Sequence, residues 1–253
     1  MITFDSFDLQ TDNIIISEVV YRNLAERVLD TAKITRRNGV KLLSDTYASK
    51  KITMSGYIVA DTPAGLQDQI DSLNLNVISK SDGILTLDNN RRIEAVASSM
   101  GIGDAHYNQS CVPLELEFLC PDPFFIGNNY SVSLTVTSGT LSMPILTTIS
   151  GTVFSLPQIT YYPPAGTGTT TTSGITLTNN DSGETVSFYN ASFLAYGSSV
   201  TFDFNSLSIL EGTSESDPSG TFFKWEPGSF SGTITFNNNV GGTLSIQYDA
   251  RYL

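Results

Sequence analysis

Basic residues almost vanish from the second half of this chain: residues 127–253 hold only Lys224 and Arg251 against eight Asp/Glu, while residues 1–126 hold 11 Lys/Arg against 17 Asp/Glu. Each half is therefore acidic, in a chain of net charge −12. A protein that gains affinity by neutralising phosphates needs clustered Lys and Arg, so this composition argues against nucleic-acid binding. Histidine is scarcer still. His106 is the only one, and a lone histidine makes neither a zinc cage nor half of a nucleophile pair unless a cysteine or serine stands beside it. It sits in Gly101-Ile-Gly-Asp-Ala-His-Tyr, which reads as an ordinary loop. No Gly-rich loop runs into Lys-Ser or Lys-Thr, so no phosphate cradle is visible. Cys111 and Cys120 are the only cysteines. They fall on what reads as one strand, at a spacing that turns them to opposite faces, so two unbridged thiols in a reducing compartment are expected. No stretch approaches the roughly 18 apolar residues of a membrane span. The opening Met1-Ile-Thr-Phe-Asp-Ser-Phe-Asp lacks the basic and apolar regions of a secretory signal. The expectation is a protein made in the cytoplasm, with no membrane partner, no metal and no cofactor.

What is present is enough for a sizeable core: 40% of the residues are hydrophobic and 10% of the chain is aromatic. The length of 253 residues suggests two domains. Periodicity places the division. One helical pattern occurs, after Asp61-Thr62-Pro63, where Thr62 or Asp61 can cap and Pro63 suits the first helical position. Leu66, Ile70, Leu73 and Val77 then form one apolar stripe, and Ser81-Asp82-Gly83 ends it. Nothing of that period follows, so the expected domains are residues 1–128, β-rich with one helix, and residues 129–253, all β.

Around the helix, strand patterns alternate. Ile52, Met54, Gly56 and Ile58 share one face of the segment 51–60, and Leu114, Leu116, Phe118 and Cys120 one face of 112–120, with Glu115 and Glu117 facing away. Hairpin turns are predicted at Asn38-Gly39 and at Asp88-Asn89-Asn90. The strand 112–120 ends in Pro121-Asp122-Pro123, where proline supplies no ladder donor. Beyond Tyr130 about eight short strands, Phe222–Trp225 among them, are separated by turn residues, at Asn179–Gly183, Asp217–Gly220 and Asn237–Gly242 among others. Many alternate apolar residues with Thr or Ser, which predicts a β-sandwich.

Candidate chemistry is sparse. Glu115 and Glu117 form the one tight carboxylate pair, a pattern that glycoside hydrolases use, but here they share the outward face of a strand and read as a solvated or interface stripe. Trp225 with Phe222, Phe223 and Tyr248 is a candidate ligand platform for a sugar, set against ordinary core packing. Arg36-Arg37 and Arg91-Arg92 lie at turns, as exposed charges or partners for an inter-subunit salt bridge. No catalytic residue is expected.

In order and spacing the chain resembles the distal tail protein family of siphophages. The first half carries the strand 52–60, the helix 66–77, a hairpin and a closing strand that runs into Cys120-Pro-Asp-Pro-Phe-Phe125. The second half carries Leu156-Pro-Gln-Ile-Thr, Ile175-Thr-Leu-Thr-Asn, Gly183-Glu-Thr-Val-Ser-Phe and Gly197-Ser-Ser-Val-Thr-Phe-Asp203, then the closing strand from Gly242. The resemblance implies a mainly β fold: a β-barrel-like or split-sandwich ring domain with one helix, followed by a galectin-like β-sandwich. It implies a non-enzymatic virion protein at the tail tip of a long-tailed phage, a homohexameric ring joining the tail tube protein to tail-tip or baseplate proteins and letting DNA pass. Part of the acidic charge is then expected to line the lumen. The rival readings are a carbohydrate-binding attachment module and another tube or tip component; a wall hydrolase is disfavoured.

Overall fold

A computed structural model describes residues 1–33, 40–87, 91–104, 110–138, 142–166, 168, 172–190, 194–238 and 241–253. The predicted turns at Asn38-Gly39 and Asp88–Asn90, together with His106, Arg36 and Arg37, lie outside the described residues. Chain contacts divide the fold into two compact units, Met1–Ile126 with Leu253, and Gly127–Tyr252.

The first unit opens with two short strands, β1 (Thr3–Phe4) and β2 (Phe7–Asp8), followed by β3 (Ile14–Val20). A hairpin of β4 (Arg27–Lys33) and β5 (Val40–Tyr47) comes next, then β6 (Lys50–Val59). The helix α1 spans Pro63–Leu73 and continues as a π-helical turn over Asn74–Ile78. Its start is as the residues dictate: Thr62 is extended, and its side-chain oxygen accepts from the Gly65 N–H at 3.1 Å, satisfying one of the orphan donors of the first turn. Leu66, Leu73 and Val77 are buried along the expected stripe, and Ile70 is half-buried. The unit closes with β7 (Gly83–Thr86), β8 (Arg92–Ile102) and β9 (Cys111–Cys120).

Four of these strands pair antiparallel in the order β3-β6-β9-β8. The alternation read from the sequence sets their two faces. Ile14, Ile52, Met54, Ile58, Leu114, Leu116 and Phe118 are buried, so this face is the core side. Gly56 has a specific reason to be glycine. A Cβ there would stand 2.0 Å from the Ile15 carbonyl oxygen, where β3 carries a bulge between Ile16 and Glu18 and presses against β6.

In the second unit β10 (Phe125–Val136) leads in from the first. It is followed by β11 (Ser142–Ile149), β12 (Gln158–Tyr162), β13 (Gly174–Asn179), β14 (Thr185–Tyr189), β15 (Val200–Asp203) and β16 (Ser208–Glu211). The last strands are β17 (Ser214–Ser216), β18 (Ser219–Gly220), β19 (Gly228–Phe236) and β20 (Gly242–Tyr252). They form two antiparallel sheets, ordered β17-β16-β15-β12-β20-β10 and β11-β19-β13-β14-β18. One continuous core lies between them: Ile159, Phe202 and Ile246 from the first sheet meet Ile175, Phe188 and Ile234 from the second. This is a β-sandwich, and the chain as a whole is mainly β with one α-helix among the described residues.

One expected strand is absent, and one strand had no clear sequence signal. Phe222–Trp225 is not a strand; it makes one bridge, in which Trp225 and Ser155 exchange backbone hydrogen bonds of 2.8 and 3.1 Å. Its inward–outward alternation comes from burial of Phe223 and Trp225 rather than from a ladder. Conversely β11 contains Pro144, which masks it in the sequence; β11 is the edge of its sheet, where a missing N–H is tolerated.

Candidate functional site

The outward face of the β3-β6-β9-β8 sheet is polar and acidic, and the register says why. Residues paired across antiparallel strands share a face. One row across the sheet reads Val20, Thr53, Glu117, Ser99, and the next reads Glu18, Ser55, Glu115, Gly101. Together they line a groove of about 430 Å³. Three carboxylates thus face one shallow concavity, although only the Glu115–Glu117 spacing is visible in the sequence. Glu18 arrives because the bulge in β3 turns it to this side, and Ser99 because of the irregularity between Ala97 and Ser99 in β8.

The chemistry of the groove is that of an ionised surface. Glu117 accepts from Lys51 Nζ at 2.6 Å and from Ser98 Oγ at 3.1 Å. These contacts, the Lys51 hydrogen bond foremost, hold its carboxyl below the usual range. A glycosidase acid needs the opposite, a carboxyl kept protonated by a raised pKa. Glu117 is therefore held ionised by Lys51 and lacks the signature of a glycosidase acid. Among the described residues no three His, Cys, Asp or Glu side chains converge as a metal site.

The aromatic platform is a correction. Trp225 is 1% exposed, and Phe223 and Tyr248 are each 4% exposed. Trp225 stacks on Phe230 with ring centroids 3.9 Å apart and meets Phe204 edge-on, while Tyr248 stacks on Tyr130 and donates to the Thr148 carbonyl at 2.8 Å. These three rings fill the space between the two sheets and present no open face to a sugar. The two basic residues of this unit are also engaged with one ring: Lys224 Nζ and Arg251 Cζ stand 4.1 and 5.2 Å from the Phe154 centroid.

In the first unit Arg91 lies 5.7 Å from the Phe125 ring and Arg92 pairs with Ile126, so both belong to the end of that unit's sheet. Lys50 is buried at 4% exposure with its Nζ 4.3 Å from the Phe125 centroid, and burial lowers its pKa. Burial pushes the thiol of its strand partner Cys120 up to about 11, against the opposing pull of Lys50. Cys111, at the other end of β9, is half-buried and also free.

The hairpin of β4 and β5 exposes apolar side chains that its expected turn alone does not announce. It pairs only with itself. Val28, Leu29, Val40, Leu42 and Leu43 are 47–62% exposed, and Leu29, Val40 and Leu42 fall on one face by register. Its base is pinned where Tyr47 packs edge-on against Phe124, at 5.3 Å between centroids.

No protein-family model and no curated protein sequence matches this chain. Its fold does match. The crystal structure of the SPP1 Dit protein, a paradigm of the hub adsorption apparatus in phages infecting Gram-positive hosts, superposes with a TM-score of 0.73 at 15% identity. The match covers 100% of this chain and 98% of that one. The phage P2 baseplate in its calcium-activated conformation aligns over 95% of this chain and 92% of that one, with a TM-score of 0.46 and 10% identity. The chain thus has the fold of the SPP1 Dit hub protein from end to end.

Proposed function

We propose that this chain is a structural virion protein of the distal tail family, forming a hexameric ring that joins the tail tube of a long-tailed phage to its tip and lets DNA through. The observation that carries the reading is the full-length fold likeness to a hub protein, with both units matched in order. In this reading residues 1–126 form the ring and the sandwich faces outward, with tube and tip proteins of the same phage as partners. The protein works by assembling, without catalysis.

Two physical features support it. The first unit leaves apolar surface in water, which an assembling protein covers with its neighbours. Its polar sheet face presents Glu18, Glu115 and Glu117 together, a suitable lining for a channel that duplex DNA must cross without being held, since like charge repels phosphate. The sugar-binding alternative loses its ligand face with the burial of Trp225.

Light scattering across a range of concentrations, with negative-stain images of the same samples, tests this. Rings of six copies are expected. A persistent monomer would remove the ring, and a ring whose channel wall excludes the Glu115 face would remove the lumen assignment.

A further inference from the structure

The outer face of the sheet β11-β19-β13-β14-β18 is laid out by its register. Ile175, Leu177, Val186, Phe188, Ile234 and Phe236 belong to the core, so the residues alternating with them point away from it. One row across the five strands reads Ser142, Thr235, Thr176, Ser187, Ser219. The next reads Pro144, Thr233, Thr178, Thr185. On the other side of the first row Tyr189 pairs with Gly174, and the Asn237 amide leans over that glycine: a Cβ at Gly174 would stand 2.5 Å from Asn237 Nδ2. Tyr189 is 67% exposed and Asn237 is exposed too, so an open aromatic ring and an open amide flank a position with no side chain. The outer face of β3-β6-β9-β8 carries three carboxylates. Here, among the described residues, no outward strand position holds Asp, Glu, Lys or Arg.

We propose that this face binds a neutral polysaccharide, one sugar ring stacking on Tyr189 while its hydroxyls bond to Asn237 and to the row of Ser and Thr. The chemistry of the face selects the occupant. Nucleic acid needs cations, and the outward positions hold none. A second copy needs an apolar interface centre, and protein interfaces are depleted in serine. A neutral sugar fits on each count. Its C–H side meets the negative face of an aromatic ring, and no charge has to be stripped of water when it binds. Its hydroxyls both donate and accept, as do those of Ser and Thr, so each pair can form in either sense. Thr176 Oγ1 and Ser187 Oγ share a hydrogen bond of 2.9 Å, which uses the hydrogen of one and leaves that of the other to give. Threonine is stiff at χ1, so ordering the row on a ligand costs little side-chain freedom. The hydroxyls recur about 4.8 Å apart across the strands and the rows about 6.8 Å apart along them, so an extended chain of sugars meets several at once. This face is on the opposite side of its sheet from the buried Trp225, and the proposal adds a ligand to the sandwich while the assembly reading stands without it.

The test probes the full chain on an array of immobilised neutral hexose and N-acetylhexosamine polymers, with polygalacturonate as the anionic comparator, and measures the affinity of a bound glycan by calorimetry. Binding to a neutral polymer and not to polygalacturonate is expected, with a dissociation constant that added salt does not move. Tyr189→Ala should raise that constant at least about tenfold, Thr176→Val with Thr235→Val at least about threefold, and Tyr189→Phe, which keeps the ring, by no more than about twofold. All these side chains lie outside the core, so the melting temperature should match wild type. The tyrosine and threonine variants are independent, and misfolding of one leaves the other to decide. Binding to none of the neutral polymers, or wild-type affinity in both Tyr189→Ala and the threonine variant, would overturn the proposal. Self-association that Tyr189→Ala abolishes would give the face to a second copy and overturn it as well. The ring reading is tested separately by light scattering, so its failure and this one are distinguishable.

Discussion

The two units of this chain spend their apolar residues differently. In the second, Ile159, Phe188, Phe202, Trp225, Ile234 and Leu244 are all buried in one core between two sheets. Among the described residues only Tyr162, Tyr189 and Leu207 remain as exposed large apolar side chains there, against thirteen in the first unit. The first unit also keeps 11 of the 13 Lys/Arg, five of them within residues 27–47. Both units fold around a hydrophobic core, but only the sandwich covers its apolar surface with its own strands. The difference separates two settings of an exposed leucine: scattered singly it is ordinary, whereas several gathered on a hairpin that pairs only with itself are a feature without counterpart in the sandwich.

Cutting into the closed unit should give the largest effect. Phe230 is 5% exposed and stacks face to face on Trp225. Phe230→Ala leaves a cavity beside the indole and should cost about 3–5 kcal/mol. The protein's single tryptophan lies in this unit, so urea unfolding followed by fluorescence reads it directly. A loss below about 1 kcal/mol would mean that the sandwich core relaxes, and that the contrast between the units is weaker than drawn.

In the first unit the sensitive position is backbone, not side chain. Gly56→Ala forces a methyl to within 2.0 Å of the Ile15 carbonyl, so β3 must move away from β6. The expected cost is about 2–4 kcal/mol, because neither atom belongs to a flexible side chain. Far-UV circular dichroism should report the loss. If the fluorescence transition of Trp225 shifted in step with it, the two units would unfold as one and the comparison would have to be redrawn.

Much of this was legible from local chemistry. Thr62-Pro63 announces the start of α1 because a cap and a fixed φ are properties of single residues. The strand with Glu115 and Glu117 outward follows from period-two alternation. What the sequence hides depends on pairing or on its absence. Glu18 joins the acidic face only through a bulge, and Ser99 only through a shifted register, neither of which has a sequence signature here. Pro144 disguises an edge strand, and Phe222–Trp225 imitates a strand by burial alone. The hairpin was marked only by its expected turn, because its side chains have no inward face within this chain and so no amphipathic pattern to read.

The smallest effect expected tests how the edge of the first unit is tied down. Asp5 adopts a left-handed conformation, φ +52°, in the turn between β1 and β2, where a non-glycine residue is strained. Its carboxylate offsets that strain by accepting from Lys80 Nζ at 2.7 Å and from the Ile84 N–H at 2.8 Å, which fastens the turn to β7 and to the segment after the helix. The Lys80 hydrogen bond, followed by that from Ile84, holds the Asp5 pKa below its ordinary value. The folded state therefore binds this proton less readily than the unfolded chain. Asp5 contributes stability that is present above the ordinary aspartate pKa of about 3.9 and lost as pH falls through the lower folded value. With both partners about a third exposed, solvent screening limits the contribution to on the order of a few tenths of a kcal/mol. Asp5→Asn keeps an acceptor for Ile84 and tolerates the left-handed backbone but discards the charge. Stability of this variant at neutral pH should fall slightly, and below pH about 4 the wild-type and variant curves should converge. Curves that stayed parallel across that range would mean that Asp5 holds the turn through its geometry alone, and that the first unit's edge owes nothing to the Lys80 charge.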